Sequence, residues 1–149
     1  MSDIELIKVD HYERWLRSEG IPIKGGFFVE DVNSIELAKW PRMGGQGAFI
    51  NFDACSGIVN SYLCAIPPGS KLIKQKHLFD ELVYILDGQG HTTLWDGGGN
   101  GQTVEWGKSS LFAIPMNAAY QHFNQSKSKE ARYIAVTTAP LIINLFRNL

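Results

Sequence analysis

The stretch that decides the fold is Gly69-Ser-Lys-Leu-Ile-Lys-Gln-Lys-His-Leu-Phe-Asp-Glu-Leu-Val-Tyr-Ile-Leu-Asp-Gly88. It places Gln75, His77 and Glu81 between two glycine turns. Side chains at even separations along a strand point to the same face, so these three share a face if the backbone between them stays extended. Inward-facing polar groups of this kind, on the strands of a small barrel, can build a metal site.

Strand signals surround this stretch from Gly47 onward. About nine or ten short segments rich in β-branched and aromatic residues alternate with Gly, Pro and Asn turns, which is typical of a sandwich or barrel. The last of these segments, residues 141–146, is apolar and predicts a strand. Upstream, residues 10–19 have the apolar spacing of a short amphipathic helix, with aromatic side chains that cover the core. We therefore predict an all-β barrel with a short N-terminal helix and an extended arm.

Length and composition predict a single domain. The chain has 149 residues, of which 44% are apolar and 19% charged, enough for a core without disulfide bonds. Residues 1–46 are assigned to the N-terminal helix and arm, and residues 47–149 to the barrel. Cys55 and Cys64 lie in apolar surroundings and are predicted to be buried thiols.

Charge and hydropathy favour a protein that binds small molecules. The net charge of −1 comes without a basic stripe, so neither nucleic acid nor an anionic membrane is expected as a partner. No run approaches the roughly 18 apolar residues of a membrane span, and the acidic N-terminus lacks the features of a signal peptide. We expect a soluble, cytoplasmic protein.

A second stretch carries the pattern further. Residues 107–124 read Gly-Lys-Ser-Ser-Leu-Phe-Ala-Ile-Pro-Met-Asn-Ala-Ala-Tyr-Gln-His-Phe-Asn, so Pro115 is followed by Tyr120, His122 and Asn124. Together the two stretches resemble the two motifs of the cupin superfamily in their spacing. Asn117 stands where that family has a glycine, a position that asparagine also tolerates because both adopt left-handed backbone angles.

The resemblance implies a jelly-roll barrel whose usual metal ligands are three histidines and a glutamate. Matched residue by residue, His77 and Glu81 carry over, whereas Gln75 and Tyr120 stand at two of the histidine positions. His122 lies two residues beyond the ligand position and faces the same interior, so it could supply the missing imidazole. The predicted ligands of a divalent Fe, Mn, Ni or Zn ion are thus Gln75, His77, Glu81 and His122.

Three functions remain open at this point. The first is a metal-dependent enzyme, either a dioxygenase or a Lewis-acid lyase, isomerase or decarboxylase, acting on a small apolar or aromatic substrate. The second is a metal-free isomerase, cyclase or lyase that works by acid–base chemistry, with Tyr120, Glu81 and His122 as its catalytic residues together with His77. The third is a non-catalytic cupin that binds a ligand or regulates a partner.

Two further expectations concern the surroundings of the site. The sequence shows no cluster of inward arginines for carboxylates or phosphates, and Lys76 alternates outward, away from the site. The apolar segment 141–146 would expose a strand edge if left alone, and proteins avoid such edges. We therefore expect a homodimer, with a heteromer that includes a second cupin as the alternative.

Overall fold

The computed structural model describes residues 10–55 and 57–146. Two helices, α1 (His11–Ser18) and α2 (Ala139–Phe146), flank a series of strands, and one turn of 3-10 helix covers Val32–Ser34. The strands are β1 (Ile23–Lys24), β2 (Ala38–Trp40), β3 (Gly45–Ile50), β4 (Asn60–Ile66), β5 (Gln75–Lys76), β6 (Glu81–Asp87), β7 (Gly90–Trp95), β8 (Gly101–Trp106), β9 (Leu111–Ile114), β10 (Ala119–Asn124) and β11 (Ala131–Thr137). Neither described helix is long and apolar enough to cross a bilayer.

The strands form two sheets. The larger sheet has the order β1-β3-β4-β11-β6-β9, with β2 also paired to β3, and the smaller has the order β5-β10-β7-β8. β1 runs parallel to β3, whereas the other pairings among the described strands are antiparallel. This arrangement confirms the predicted all-β barrel with a short N-terminal helix.

Alternating burial along the strands places the polar site residues inside. In β10 the residues at even positions, Tyr120, His122 and Asn124, are buried, and their odd-numbered neighbours are partly exposed. β6 alternates in the same way and buries Glu81, its first residue, against the core. An antiparallel strand with one buried face shows this period of two, so Glu81, Tyr120 and His122 face inward as predicted.

The turn before β10 fits the expected substitution of asparagine for glycine. Asn117 has a φ of 65°, in the left-handed region that glycine and asparagine adopt most readily. At the end of β10 the amide of Asn124 donates hydrogen bonds to the carbonyls of Ile66, Pro67 and Lys129, at 3.1, 3.2 and 2.8 Å. Both asparagines of this stretch are therefore structural, because they fix the two ends of β10.

Helix α1 begins at a capping residue and lies over the open end of the barrel. Asp10 accepts a hydrogen bond from the backbone N–H of Glu13 at 3.0 Å, as an N-cap aspartate does. Tyr12 and Leu16 are buried, and the backbone N–H of Tyr12 donates to Oδ1 of Asn144 in α2 at 2.9 Å. The prediction of an amphipathic helix that covers core residues is confirmed.

The prediction of a strand at residues 141–146 is wrong, since these residues lie in helix α2. Pro140 occupies the first turn, where its missing N–H costs no helical hydrogen bond. Ala139 and Ile143 are buried beside α1, and Leu145 and Phe146 are exposed. An unbroken apolar run carries no period that separates a helix from a strand, which explains the error.

Two other expectations concern the cysteines and the oligomeric state. Cys64 is buried as predicted, but Cys55 is exposed, in a turn after β3. The exposed strand edge that motivated the homodimer is absent from residues 141–146, so the homodimer and the heteromer remain untested predictions. The outer ends of the two predicted regions, residues 1–9 and 147–149, lie outside the described residues.

Candidate functional site at the mouth of the barrel

The site is built where the chain passes from one sheet to the other. β5 belongs to the smaller sheet and β6 to the larger, and His77 lies in the connection between them, followed by a bend at residues 78–79. The backbone is therefore not extended from Gln75 to Glu81, as the shared-face prediction required. The bend nevertheless brings Nε2 of His77 to 3.6 Å from Oε1 of Glu81.

Both ring nitrogens of His77 are engaged. Nδ1 lies 3.0 Å from the carbonyl oxygen of Phe79, and Nε2 lies 2.9 Å from the hydroxyl of Tyr120. A carbonyl oxygen only accepts hydrogen bonds, so Nδ1 carries a hydrogen and, in the neutral ring, Nε2 presents a lone pair. The ring also stacks on that of Phe79, with centroids 3.8 Å apart. The imidazole is thus held with Nε2 directed at Tyr120 and Glu81.

Glu81 is a buried carboxylate surrounded by phenols. The hydroxyl of Tyr62 donates to Oε2 of Glu81 at 3.0 Å and lies 3.4 Å from the hydroxyl of Tyr133. Burial, and after it the negative charge of Glu81, raises the pKa of Tyr62 and of Tyr120 well above the usual value for tyrosine. These phenols therefore keep their protons at neutral pH and act as hydrogen-bond donors.

His122 belongs to a separate cluster deeper in the barrel. Its Nδ1 lies 2.6 Å from the hydroxyl of Thr92, which also accepts a hydrogen bond from the indole Nε1 of Trp106 at 2.9 Å. Burial lowers the pKa of His122 to about 3, so the ring is neutral at pH 7. Its Nε2 is buried and has no hydrogen-bond partner among the described residues.

Gln75 does not present a free oxygen to the site. Its Oε1 accepts a hydrogen bond from Arg42 at 2.9 Å, and its Nε2 donates to the backbone carbonyls of Arg42 and Ile73 at 3.0 and 3.3 Å. Arg42 also pairs with Glu19 and lies over the rings of Trp15 and Trp40. The amide of Gln75 therefore positions Arg42.

The predicted metal ligands do not converge in this arrangement. His77 and Glu81 approach each other, but within residues 10–55 and 57–146 no three His, Cys, Asp or Glu side chains come together as a metal centre. His122 turns its Nδ1 to Thr92, and the ring of Tyr120 lies next to those of both histidines, with centroid distances of 5.3 Å to His77 and 5.2 Å to His122. The residues present supply two ligands and a phenol, which does not fit a two-histidine, one-carboxylate centre.

Two spaces adjoin His77. An outer pocket of about 520 Å³ opens between helix α1 and the barrel, and an inner cavity of about 10 Å³ lies among His77, Glu81 and Tyr120. Trp15 of α1 lines both spaces. The residues around the outer pocket are His11, Arg14, Trp15, Ser18, Arg42, Gln75, Lys76, His77, Phe79 and Ile143.

Several of these residues escaped the sequence analysis. Arg14, Arg42 and Lys76 come from separate segments, and the fold gathers them around one pocket. Arg14 and Lys76 are exposed, so Lys76 does point outward as expected, and no pattern of inward-facing arginines could have revealed this pocket. Tyr62 is missed for a different reason, because in a strand that is buried at every residue nothing distinguishes it from ordinary core.

Comparison by sequence yields no relative. No protein-family profile matches the chain, and no curated protein shows significant similarity to it.

Comparison by structure gives clear matches. The cupin domain of Cnp3 from Schizosaccharomyces pombe superposes with a TM-score of 0.62 at 17% identity, covering 80% of this chain and 79% of that one. Oxalate decarboxylase from Lactobacillus farciminis has a TM-score of 0.61 at 15% identity over 72% of this chain. Oxalate decarboxylase from Bacillus subtilis, which has Mn(II) centres, has a TM-score of 0.58 at 16% identity over 71% of this chain.

The extent of these matches limits them to the fold. This chain spans 32% of the Lactobacillus enzyme and 28% of the Bacillus enzyme, so it corresponds to one part of each. At these identities the likeness concerns the architecture alone, and the two sheets of this chain agree with it. The chain therefore has the cupin fold, as its two motifs predict.

Proposed function

We propose that this protein is a small-molecule isomerase or lyase that moves protons at the barrel mouth with His77, Tyr120 and Glu81. The observation that carries the proposal is the environment of His77. Its Nδ1 is fixed on the Phe79 carbonyl, while Nε2 lies 2.9 Å from a phenol and 3.6 Å from a carboxylate. A base held by a second group and placed beside a proton donor is the arrangement of acid–base catalysis.

His77 is the base. With the hydrogen on Nδ1, the lone pair of Nε2 accepts the hydrogen bond of Tyr120 in the resting state and a substrate proton once that phenol turns away. Glu81, at 3.6 Å, stabilises the imidazolium that forms. Tyr62 in turn fixes the carboxylate by donating to its other oxygen at 3.0 Å.

Tyr120 is the acid partner. Its pKa is raised by burial and by Glu81, so the phenol keeps its proton and donates a hydrogen bond to an oxygen that gains negative charge. For a substrate with a hydrogen on the carbon next to a carbonyl, the C–H bond breaks and the proton moves to Nε2 of His77. The electron pair passes to the carbonyl oxygen, which Tyr120 stabilises. Return of the proton from Nε2 to another carbon of the enolate completes an isomerisation. In a lyase reaction the enolate pair forms a C=C bond and expels the group on the next carbon with its bonding pair, and the proton on Nε2 passes to that group.

Access to the three groups runs through the outer pocket. The inner cavity of about 10 Å³ holds no more than about one water molecule, so a substrate requires more space than the closed barrel offers. The outer pocket of about 520 Å³ falls within the range of small-molecule sites. Trp15 lines both spaces, and a displacement of α1 would join them.

The test is deuterium incorporation from D2O into a panel of small carbonyl compounds, followed by NMR. We expect exchange with the wild type and a decrease of about 10²–10⁴-fold in His77→Gln, the range for loss of a general base. His91→Gln serves as the matched control, because His91 is a partly exposed histidine on β7 that stacks on Phe123 outside both spaces. Exchange that is absent from the wild type across the panel, or equal in His77→Gln, contradicts the proposal. Binding without exchange would favour the non-catalytic alternative.

A further inference from the structure

We infer that the substrate of this site is a small organic anion with an apolar or aromatic body, bound in the outer pocket by Arg14 and Lys76. The inference rests on the proposed function, since it names the class of molecule on which His77 acts. It concerns a feature that the acid–base groups do not explain, namely the positive charge gathered around the entrance.

The charge around the outer pocket differs from that of the whole chain. The protein has 14 Lys and Arg against 15 Asp and Glu. Among the described residues that line the outer pocket, however, three carry positive charge and none is acidic. A concave site lined by one sign of charge concentrates ligands of the opposite sign.

Arg42 is not the residue available to a ligand. Its guanidinium is paired with Glu19, donates to Gln75 and lies against two tryptophan rings, Trp15 and Trp40. With its charge balanced and its side chain held, Arg42 forms part of the wall of the pocket.

Arg14 differs from the other arginines of the described chain. Arg17, Arg42 and Arg132 each form a salt bridge, with Glu13, Glu19 and Glu130 respectively. Arg14 forms no salt bridge with a described residue, and neither does Lys76, which lines the same pocket. Two unbalanced cations therefore face one space, which suits an anion that accepts hydrogen bonds from both.

The same pocket offers apolar surface for the rest of the ligand. Trp15, Phe79 and Ile143 line it, and Phe79 stacks on the imidazole of His77. A flat or apolar body placed against these side chains lies next to the base, while its anionic group reaches the cations at the rim. This combination narrows the predicted apolar or aromatic substrate to one that carries a negative charge.

The experiment is an NMR titration of the ¹⁵N-labelled full chain with phenylacetate, phenyl phosphate and the uncharged phenylacetamide. We expect the two anions to shift the amide signals of Lys76 and His77. Phenylacetamide should bind at least about tenfold more weakly, since it cannot form the charge-assisted hydrogen bonds. Arg14→Gln/Lys76→Gln should weaken anion binding about tenfold and leave phenylacetamide unchanged. The preference between the carboxylate and the phosphate ester identifies the kind of anion.

A matched double variant guards against a general charge effect. Arg17→Gln/Lys108→Gln removes the same two charges from α1 and from a turn outside the pocket, and should bind both anions as the wild type does. Equal binding of phenylacetamide and phenylacetate, equal weakening in the control pair, or no binding of either anion at millimolar concentration overturns the inference.

Failure of the inference is distinguishable from failure of the proposed function. The titration is repeated with His77→Gln, which keeps both cations and loses the base. Anion binding that depends on Arg14 and Lys76, with no proton exchange in any variant, would refute the catalytic proposal and retain the anion site. Exchange that depends on His77 but prefers uncharged compounds would refute the anion site alone.

Discussion

His77 and His122 lie in the same barrel, but they differ in burial and in surroundings. His77 lies at the mouth, with both ring nitrogens hydrogen-bonded and its side chain lining the outer pocket. His122 lies deep inside, lines neither space at the mouth, and has a pKa lowered to about 3 by burial. One is placed to exchange a proton with a ligand, and the other is a neutral part of the core. On the proposed function, the same residue type would serve proton transfer at the mouth of the barrel and stability in its core.

The largest expected effect separates the two histidines by activity. His77→Gln should reduce proton exchange about 10²–10⁴-fold. His122→Gln should leave the rate of proton exchange close to that of the wild type and lower the free energy of unfolding. It alters a fully buried cluster and leaves the groups at the mouth in place. Exchange assays and urea unfolding on both variants measure this. A similar loss of exchange in the two would show that the histidines act at one centre.

Removal of the phenol between the histidines sharpens the comparison. Tyr120→Phe deletes the hydroxyl 2.9 Å from Nε2 of His77 and keeps the ring that packs beside His122. We expect exchange to fall by about 10²–10³-fold, the range for loss of a donor to a developing oxyanion. Rates with Tyr84→Phe provide the control, since Tyr84 is an exposed tyrosine of β6 that lines neither space at the mouth. An equal rate in Tyr120→Phe and wild type would remove the phenol from the mechanism.

A change in the deeper cluster of His122, Thr92 and Trp106 should lower the free energy of unfolding. Thr92→Val removes the hydroxyl that joins Trp106 to His122 and leaves two buried nitrogens without that partner. We expect a loss of about 2–4 kcal/mol in the free energy of unfolding, since each unsatisfied buried group costs about 1–3 kcal/mol. Thr93→Val, on the next residue of β7, removes an exposed hydroxyl bonded to Thr103 and should cost less than about 0.5 kcal/mol. Equal losses from urea unfolding would contradict the assignment of His122 to the core.

The pH dependence of stability should distinguish the core histidine. Because the pKa of His122 is lowered to about 3 in the folded state, the unfolded chain binds more protons between the ordinary histidine value of about 6.5 and pH 3. The contribution of His122 to the free energy of unfolding is therefore fully present above about pH 6.5. It falls on acidification, by up to about 1.4 kcal/mol per pH unit. The difference in unfolding free energy between wild type and His122→Gln should therefore shrink as the pH is lowered from about 6.5 toward 3. A difference that is independent of pH would show that the ring titrates normally.

The smallest expected effect is in metal content, which distinguishes acid–base chemistry from the metal-dependent alternative. Since the predicted ligands do not converge, we expect elemental analysis to find well below one equivalent of metal, even after incubation with Fe(II) and Mn(II). His77→Ala should give the same low content. Near-stoichiometric Fe, Mn, Ni or Zn that is lost in His77→Ala would unite the two histidines in one centre and restore the metal-dependent alternative. The unpartnered Nε2 of His122 is the atom that would then be engaged.

The sequence is informative about the fold because the decisive features are local. The spacing of glycines, Pro115 and Asn117 predicts where strands turn, and alternation along β10 predicts which side chains face inward. The φ of 65° at Asn117 follows from that position alone. Helix α1 is equally predictable, since its cap and its apolar spacing lie within a dozen residues.

The site is less predictable because it depends on contacts between distant segments. The shared face of Gln75, His77 and Glu81 assumed an extended backbone, and the bend at residues 78–79 replaces it with a corner. The pocket unites Arg14, Arg42 and the β5 region, which no local pattern connects. The turn of His122 toward Thr92 likewise depends on pairing between β7 and β10.

Helix α1 meets α2 over the barrel mouth through the bond from Tyr12 to Asn144, two residues 132 positions apart. All the described strands precede α2 in the chain, so during synthesis the barrel can begin to form before α2 reaches its entrance. Contacts of such long sequence separation cost more loop-closure entropy than local ones, and a high share of them slows folding. We therefore expect the entrance to close after the barrel beneath it has begun to form.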